Sequence, residues 1–345
     1  MNVSKMKNEE NEFAKNDIDD LTSDIKFLIE SAKRKVVLSV NTIMLETYWN
    51  IGKLVVEQEQ KGKERAMYGD TLLLRLSKEL TNTYGKGFSR SNLQSMRTLY
   101  VKYPKCQTLS GKLSWSHYLQ LLQISDDNER SFYEKECENS NWSVRELSRQ
   151  IKSCLYQRLL LSKSEINKDK VMELARQGVT YNNPNDIAKD PLVLEFLGIA
   201  ETKPKYESDL EAMLLKHLKE FLLELGRGFM FVASQQRISI AGKNYYVDLV
   251  FYNKILKCYV LIDLKMNGLE AENLGQMNLY VNYYKKEVND ENDNDPVGII
   301  LCAEKDKIVA EYAIEGLTNN IYASRYTYVM PDKDLLEEEI NKYLK

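Results

Sequence analysis

YYVDLVFYNKILKCYVLIDLK (residues 245–265) puts charge inside the most strand-like part of the chain. Asp248 stands in one run of β-branched and aromatic residues, and Asp263 and Lys265 close the next. Such runs read as strands, and a buried charge is costly unless it is paired or bound to a metal. The link NKILK is short enough to make the two runs a hairpin. Folding about Ile255 and Leu256 sets Asp248 directly across from Asp263. Side chains alternate along a strand, so Lys265 shares a face with Asp263 while Leu264 faces away. One short hairpin therefore brings two carboxylates and an ammonium together.

That trio suits metal-assisted hydrolysis of a phosphodiester. Carboxylate oxygens are hard ligands for Mg²⁺, with Mn²⁺ as a substitute, and leave coordination positions for water and phosphate. A bound metal lowers the pKa of water and offsets developing charge, and a lysine orients or activates the nucleophile. The spacing D-x(14)-D-x-K by itself also fits an Asp–Lys pair at a strand end with an unrelated Asp248. Placement on adjacent buried strands is what favours a site.

Around the hairpin the pattern alternates between helix and strand. SDLEAMLLKHLKEFLLELG (208–226) is helical, MFVASQQRISI (230–240) a strand and GLEAENLGQMNLYVNYYKKEV (268–288) a helix. VGIILCA (297–303) is a buried strand, DKIVAEYAIEGL (306–317) a helix and RYTYVM (325–330) a last strand. The order α-β-β-β-α-β-α-β predicts a mixed central sheet flanked by helices over 207–345.

Residues 20–160 are helical almost throughout, preceded by a polar lead, 1–19, that reads as disordered. TLLLRLSKELTNTYG stops at Gly85, the turn GKGF follows, and Ser89 caps RSNLQSMRTLYVKYP. Helix, turn and helix resemble a helix-turn-helix. Leu93, Met96 and Tyr100 form the apolar stripe of the second helix. Arg90, Gln94 and Arg97 lie on another face, with Lys86 in the turn before them, where a nucleic-acid reader presents its contacts. Residues 161–206 hold three of the six prolines and read as a linker around an ordered island, PLVLEFLGIA.

Composition narrows the function classes. The net charge of −3 combines +8 over residues 61–120, from eleven Lys/Arg against three Asp/Glu, with −11 over the rest. A basic block in an acidic chain suits an anionic partner, equally well as it suits a solvated helical face. Five scattered cysteines without CxxC spacing point to a reducing cytoplasm and away from structural zinc. Two histidines argue against a His-based triad or metal site. No apolar run approaches the roughly 20 residues of a membrane span, and nothing in the chain fixes its oligomeric state, so a homo-oligomer stays open.

Asp248 with Asp263-Leu264-Lys265 matches the PD-(D/E)XK pattern. Longer stretches add to it: FLLELGRGFMFV, GQMNLYVNYY, DPVGIILCAEKD, YGKGFSRSNLQSMRTLY, LSWSHYLQLLQ, NWSVRELSRQI and KDPLVLEFLG. Together they resemble the YhcG family of nucleases over about residues 25–340. The resemblance implies a restriction-endonuclease-like fold, with Asp248 and Asp263 as metal ligands and Lys265 as the catalytic lysine. Gln276 and Tyr280 match a Q-x-x-x-Y element in which the Gln supports the site and Tyr280 lies near nucleic acid. A further acid from the first helix is implied, with Glu211 the first candidate and Glu224 the second. The implied DNA-binding half is the helical one. Near Ser234, where a basic residue is expected, only Arg237 is present. The expectation is thus an Mg²⁺-dependent endonuclease acting on DNA in the cytoplasm. The alternatives are a non-catalytic DNA-binding or assembly subunit and an RNA nuclease.

Overall fold

The hairpin forms in the register its loop predicts. Strand β3 (Lys243–Asn253) pairs antiparallel with β4 (Cys258–Gly268), from Asn253 opposite Cys258 to Leu249 opposite Ile262. The turn is therefore centred on Ile255 and Leu256. In the computed structural model, which describes residues 3–61, 66–162, 167–187, 189–199, 204, 206–304 and 320–344, this hairpin lies inside a six-stranded mixed sheet. Strand β2 (Phe229–Ile240) flanks β3 antiparallel. Strands β5 (Val297–Glu304) and β6 (Asn320–Thr327) follow β4 in parallel. The sheet order is β1-β6-β5-β4-β3-β2.

Strand β1 (Leu192–Val193) runs parallel to β6 and lies in the ordered island PLVLEFLGIA expected within the linker. Two residues are too few to show a period-2 pattern, so only pairing reveals them as a strand. The parallel step from β4 to β5 needs a crossover, supplied by helix α11 (Ala271–Tyr283). Met277, Tyr280 and Val281 of α11 pack on Val250, Leu261 and Ile300 of the sheet. Gly298 permits this approach, because a Cβ there would stand 2.5 Å from Met277 Cγ. The helix expected over 306–317 lies outside the described residues.

The chain divides into two compact units, Met1–Ser125 and Asp126–Lys345. In the first, helix α1 (Val3–Lys61) runs unbroken into the segment expected to be a disordered lead. That lead is polar but free of Gly and Pro, so it continues the adjoining helix at little conformational cost. Helices α2 (Ala66–Tyr84) and α3 (Arg90–Lys102) are joined by a short turn at Lys86–Phe88. Leu93, Met96 and Leu99 are the buried stripe of α3, with Leu99 in the place expected for Tyr100. Gly52 lets α1 lie against α3, since a Cβ there would meet the Met96 carbonyl oxygen at 2.1 Å. Trp115, the first residue of helix α4 (Trp115–Leu121), packs on Tyr48 and donates to Asn92 Oδ1 at 2.8 Å.

Helices α5 (Asp127–Ser140), α6 (Val144–Lys152), α7 (Leu155–Leu161) and α8 (Lys168–Gln177) belong to the second unit. By packing, the first compact unit ends at Ser125, and α5 to α8 lie with the sheet. A buried carboxylate ties part of this region to β1. Glu224 of helix α10 (Leu218–Leu225) receives Arg158 Nη1 at 2.7 Å, Arg149 Nη1 at 3.0 Å and the Val193 N–H at 3.0 Å. Helical periodicity cannot report that α6, α7 and β1 all close on one charge.

Burial alone would raise the Glu224 carboxyl, but Arg158, Arg149 and Lys189 outweigh it and hold it at about 2. Its stabilising contribution is therefore full above the unfolded carboxyl value of about 4.3 and is lost as pH falls toward 2. Glu224→Gln strands the buried Arg158 without its countercharge, and a loss of about 3–5 kcal/mol is expected. Urea denaturation at pH 7 and at pH 3 checks this: the difference between variant and wild type should shrink in acid.

Candidate active site

Asp248 and Asp263 occupy the next step beyond the last ladder pair of β3 and β4. Here the strands part. Strand β4 continues beside β5, with Asp263 opposite Ile300 and Lys265 opposite Cys302. Asp248 Oδ2 accepts the Leu264 N–H at 2.8 Å, so a side chain takes over a bond that the ladder would otherwise make. Asp263 is 2% exposed. Its Oδ2 lies 2.9 Å from Lys265 Nζ as an ion pair but meets no hydrogen-bond geometry.

Helix α9 (Glu207–Lys216) brings two more acids, Glu207 and Glu211, one turn apart. Glu207 Oε2 is 3.4 Å from Lys265 Nζ. Glu211 accepts from the Gln235 amide at 2.5 Å, and the same amide donates to Asp248 Oδ1 at 3.0 Å. Gln235 does this from a left-handed backbone, φ 48°, in the middle of β2. A non-glycine residue in that region costs free energy and is held there by its surroundings. Gln235 thus ties the first-helix acid to the strand acid.

The electrostatics follow from this crowding. Burial pushes the Asp263 carboxyl up to about 6; Lys265 opposes the rise, and Asp248 and Glu207 add to it. Burial also raises Asp248 and Glu211. Burial would lower Lys265, yet Asp263, Glu207 and Asp248 together leave it raised. The ammonium is secured by three carboxylates, whereas Asp263 has one ammonium against its desolvation.

Among the described residues no group of three or more His, Cys, Asp or Glu gathers as a metal nest. The donor set that remains is the pair Asp248 and Asp263, with the buried Asp263 Oδ2 engaged by Lys265 Nζ at 2.9 Å. A pair fits Mg²⁺, which is commonly held by one or two carboxylates while water and substrate phosphate complete its shell.

The other residues singled out by sequence are dispersed. Glu224 is engaged with Arg149 and Arg158 and does not join the acids. Gln276 donates to the Tyr280 hydroxyl at 2.5 Å, and that hydroxyl donates to the Tyr246 carbonyl at 2.8 Å. Gln276 therefore props β3 two residues before Asp248. Tyr280 is fully buried and offers no surface to nucleic acid, contrary to expectation. Arg237 pairs with Asn244 at 3.1 Å. In the first unit Lys86, Arg90 and Gln94 are exposed, while Arg97 is tied to Glu59 of α1 at 2.7 Å.

Two residues were not foreseen. Glu207 was within reach, since it stands four residues before Glu211 and so shares its helix face. Gln235 carried no such signal, because the positive φ that aims its amide is not visible in a strand-like sequence.

Residues 185–343 match the YhcG PDDEXK nuclease domain and residues 24–158 the DUF1016 N-terminal domain. The Escherichia coli (strain K12) protein named "Putative nuclease YhcG" is 39% identical over 346 residues, covering 91% of each chain. The chain belongs to the YhcG family. A repair endonuclease from Pyrococcus abyssi aligns at TM-score 0.26 and 16% identity, over 36% of this chain and 49% of its own. EndoMS in apo form aligns at 0.25 and 16%, over 39% and 50%. Membership in the YhcG family rests on the sequence matches alone, and the family's PD-(D/E)XK nuclease domain corresponds to the mixed sheet carrying Asp248, Asp263 and Lys265.

Asp263 has a sharp stability signature. Its carboxyl sits above the unfolded value of about 3.9, so its contribution is full below that pH and is lost as pH rises through about 6. Asp263→Asn is neutral at every pH and should exceed wild type by about 2–3 kcal/mol above pH 7, with no advantage near pH 4. Denaturation in EDTA across pH 4–8 measures the difference.

Proposed function

We propose that this chain is an Mg²⁺-dependent endonuclease hydrolysing phosphodiester bonds in DNA, with the acids of β3 and β4 and Lys265 as its chemical centre. The supporting observation is the buried Asp263, its Oδ2 2.9 Å from the Lys265 ammonium, with Asp248 on the neighbouring strand. Asp248 and Asp263 would hold the cation, which supplies a water of lowered pKa and offsets charge on the phosphate. Lys265, kept charged by its three acidic neighbours, orients the attacking water and donates to the developing oxyanion; in its resting form it is not a base. Glu211, linked to Asp248 through Gln235, is placed to orient water on the helix side. Gln276 acts at one remove, through Tyr280 and the β3 backbone.

The name of the Escherichia coli relative supports nuclease chemistry. The substrate sugar is part of this proposal and rests on the helix-turn-helix reading of α2 and α3. A cytoplasmic site of action is supported by five free cysteines. Among the described residues no helix is long and apolar enough to cross a membrane.

Purified protein should cleave plasmid or linear duplex with Mg²⁺ or Mn²⁺ and stop with EDTA; cleavage of RNA alone would move the substrate to RNA. Asp263→Ala, Lys265→Ala and Asp248→Asn should each lower cleavage by about 10²–10³-fold or more, with DNA affinity within a few-fold of wild type. Gln276→Ala should cost less, about 10–100-fold. Equal residual cleavage in all variants would leave a non-catalytic scaffold.

DNA reading by α3 has its own test. Lys86 and Arg90 are both exposed and are the pair to test. In the full chain carrying Asp263→Ala, Lys86→Ala with Arg90→Ala should reduce the log–log salt slope of duplex binding by about 1 per lost phosphate contact. A base-reading arginine would instead cost about 1–3 kcal/mol at its preferred sequence. Fluorescence anisotropy over a salt series distinguishes these outcomes, and unchanged binding removes α3 as the reader.

A further inference from the structure

Helix α1 runs for 59 residues and packs on the helical body of the first unit. Its C-terminal part meets that body through Leu45, which is 1% exposed, through Gly52 against Met96, and through Val55 against Leu73 and Leu93. Upstream, the helix exposes apolar side chains on several faces, Phe27, Leu28 and Val37 among them, and one regularly spaced stripe runs on the side opposite Leu45. Ile18, Val36 and Ile43 are 63%, 62% and 61% exposed. At 100° per residue the stripe spans an arc of about 100°, and Leu45 lies roughly half a turn from its centre. The residues that hold α1 to its own unit therefore cannot also cover the stripe.

The spacing of the stripe is symmetric. From Ile18 through Leu21, Ile25, Ile29, Ala32, Val36 and Val40 to Ile43, the steps are 3-4-4-3-4-4-3. The pattern reads the same in both directions about the midpoint between residues 30 and 31. We propose that α1 pairs with α1 of a second copy of this chain in an antiparallel, two-fold symmetric dimer. Ile18 then faces Ile43 of the other copy, Leu21 faces Val40 and Ile25 faces Val36. At the centre Ile29 fills the space left by Ala32. A parallel pairing in register sets Ala32 on Ala32 and leaves that space empty.

Steps of 3-4-4 repeat every 11 residues, close to the period of a straight α-helix, so the two helices can stay in contact along the stripe with little supercoiling. Each large apolar side chain offers roughly 60–120 Å², which over seven residues gives about 400–850 Å² per copy. A standard interface needs about 800 Å² per partner. Two-fold pairing is also closed, so it ends at the dimer and does not propagate. Along one edge Asp24 of one copy approaches Lys35 of the other. The other edge carries Lys26 and Lys33, whose like charge is offset by Glu30, 2.8 Å from Lys33 Nζ.

Sedimentation velocity of the full chain should give twice the 40.2 kDa chain mass at micromolar concentration. Ile25→Lys with Val36→Lys should raise the dissociation constant by 100-fold or more and give monomer, with unchanged far-UV circular dichroism because both positions are exposed in the single chain. Orientation is read by mild oxidation: Ile18→Cys with Ile43→Cys should form a covalent dimer, and neither single variant, nor wild type, should do so. A monomeric wild type, a dimer that survives both lysines, or cross-linking by Ile18→Cys alone would each overturn the proposal. None of these readings depends on nuclease activity.

Discussion

Asp248 takes the Leu264 N–H at the point where β3 and β4 separate. Without that bond the N–H would lack a partner inside the sheet, because Leu264 itself is fully buried. By supplying it from a side chain, the fold lets two strands part without leaving an unpaired donor, which would cost about 1–3 kcal/mol. The opening so created is where the carboxylates, the lysine and the α9 acids meet. Structure and site thus share one interaction.

The gathering of acids works against stability. Asp263, Asp248 and Glu211 are all raised by burial, and a single ammonium serves two of the surrounding carboxylates. A neutral residue at Asp263 would suit the isolated fold better. That the chain carries charge here is understandable if the charge is used, since strain and unfavourable desolvation collect where a ligand will relieve them. The left-handed Gln235 belongs to the same account, because it restrains two like-charged groups with one amide.

Glu224 shows the opposite use of a buried carboxylate. It too is desolvated, but two arginines and a backbone N–H surround it, and its carboxyl is lowered to about 2. The contrast between Glu224 and Asp263 separates an acid matched by countercharge from one left short of it, which burial alone does not do. It also explains the division of the chain: α6, α7 and β1 are drawn into the second unit by charges that must be satisfied together.

Much of this was legible in the residues themselves. The short NKILK loop sets the hairpin register, and strand alternation then forces Asp263 and Lys265 onto one face, so the centre of the site followed from local rules. The helical hairpin around Gly85 and Ser89 followed in the same way, from a stop signal and a cap. Tertiary structure decided what distance in sequence concealed. Glu211 and Glu224 both sit on helical faces with apolar neighbours, and only the approach of β2 in one case and of α6 and α7 in the other tells them apart. Arg97 looked like a reader until Glu59, 38 residues away, claimed it. Tyr280 looked like a contact until the sheet buried it. Periodicity reports which face of an element is apolar, but a charged side chain takes its role from its partner, and these partners are brought together only by folding.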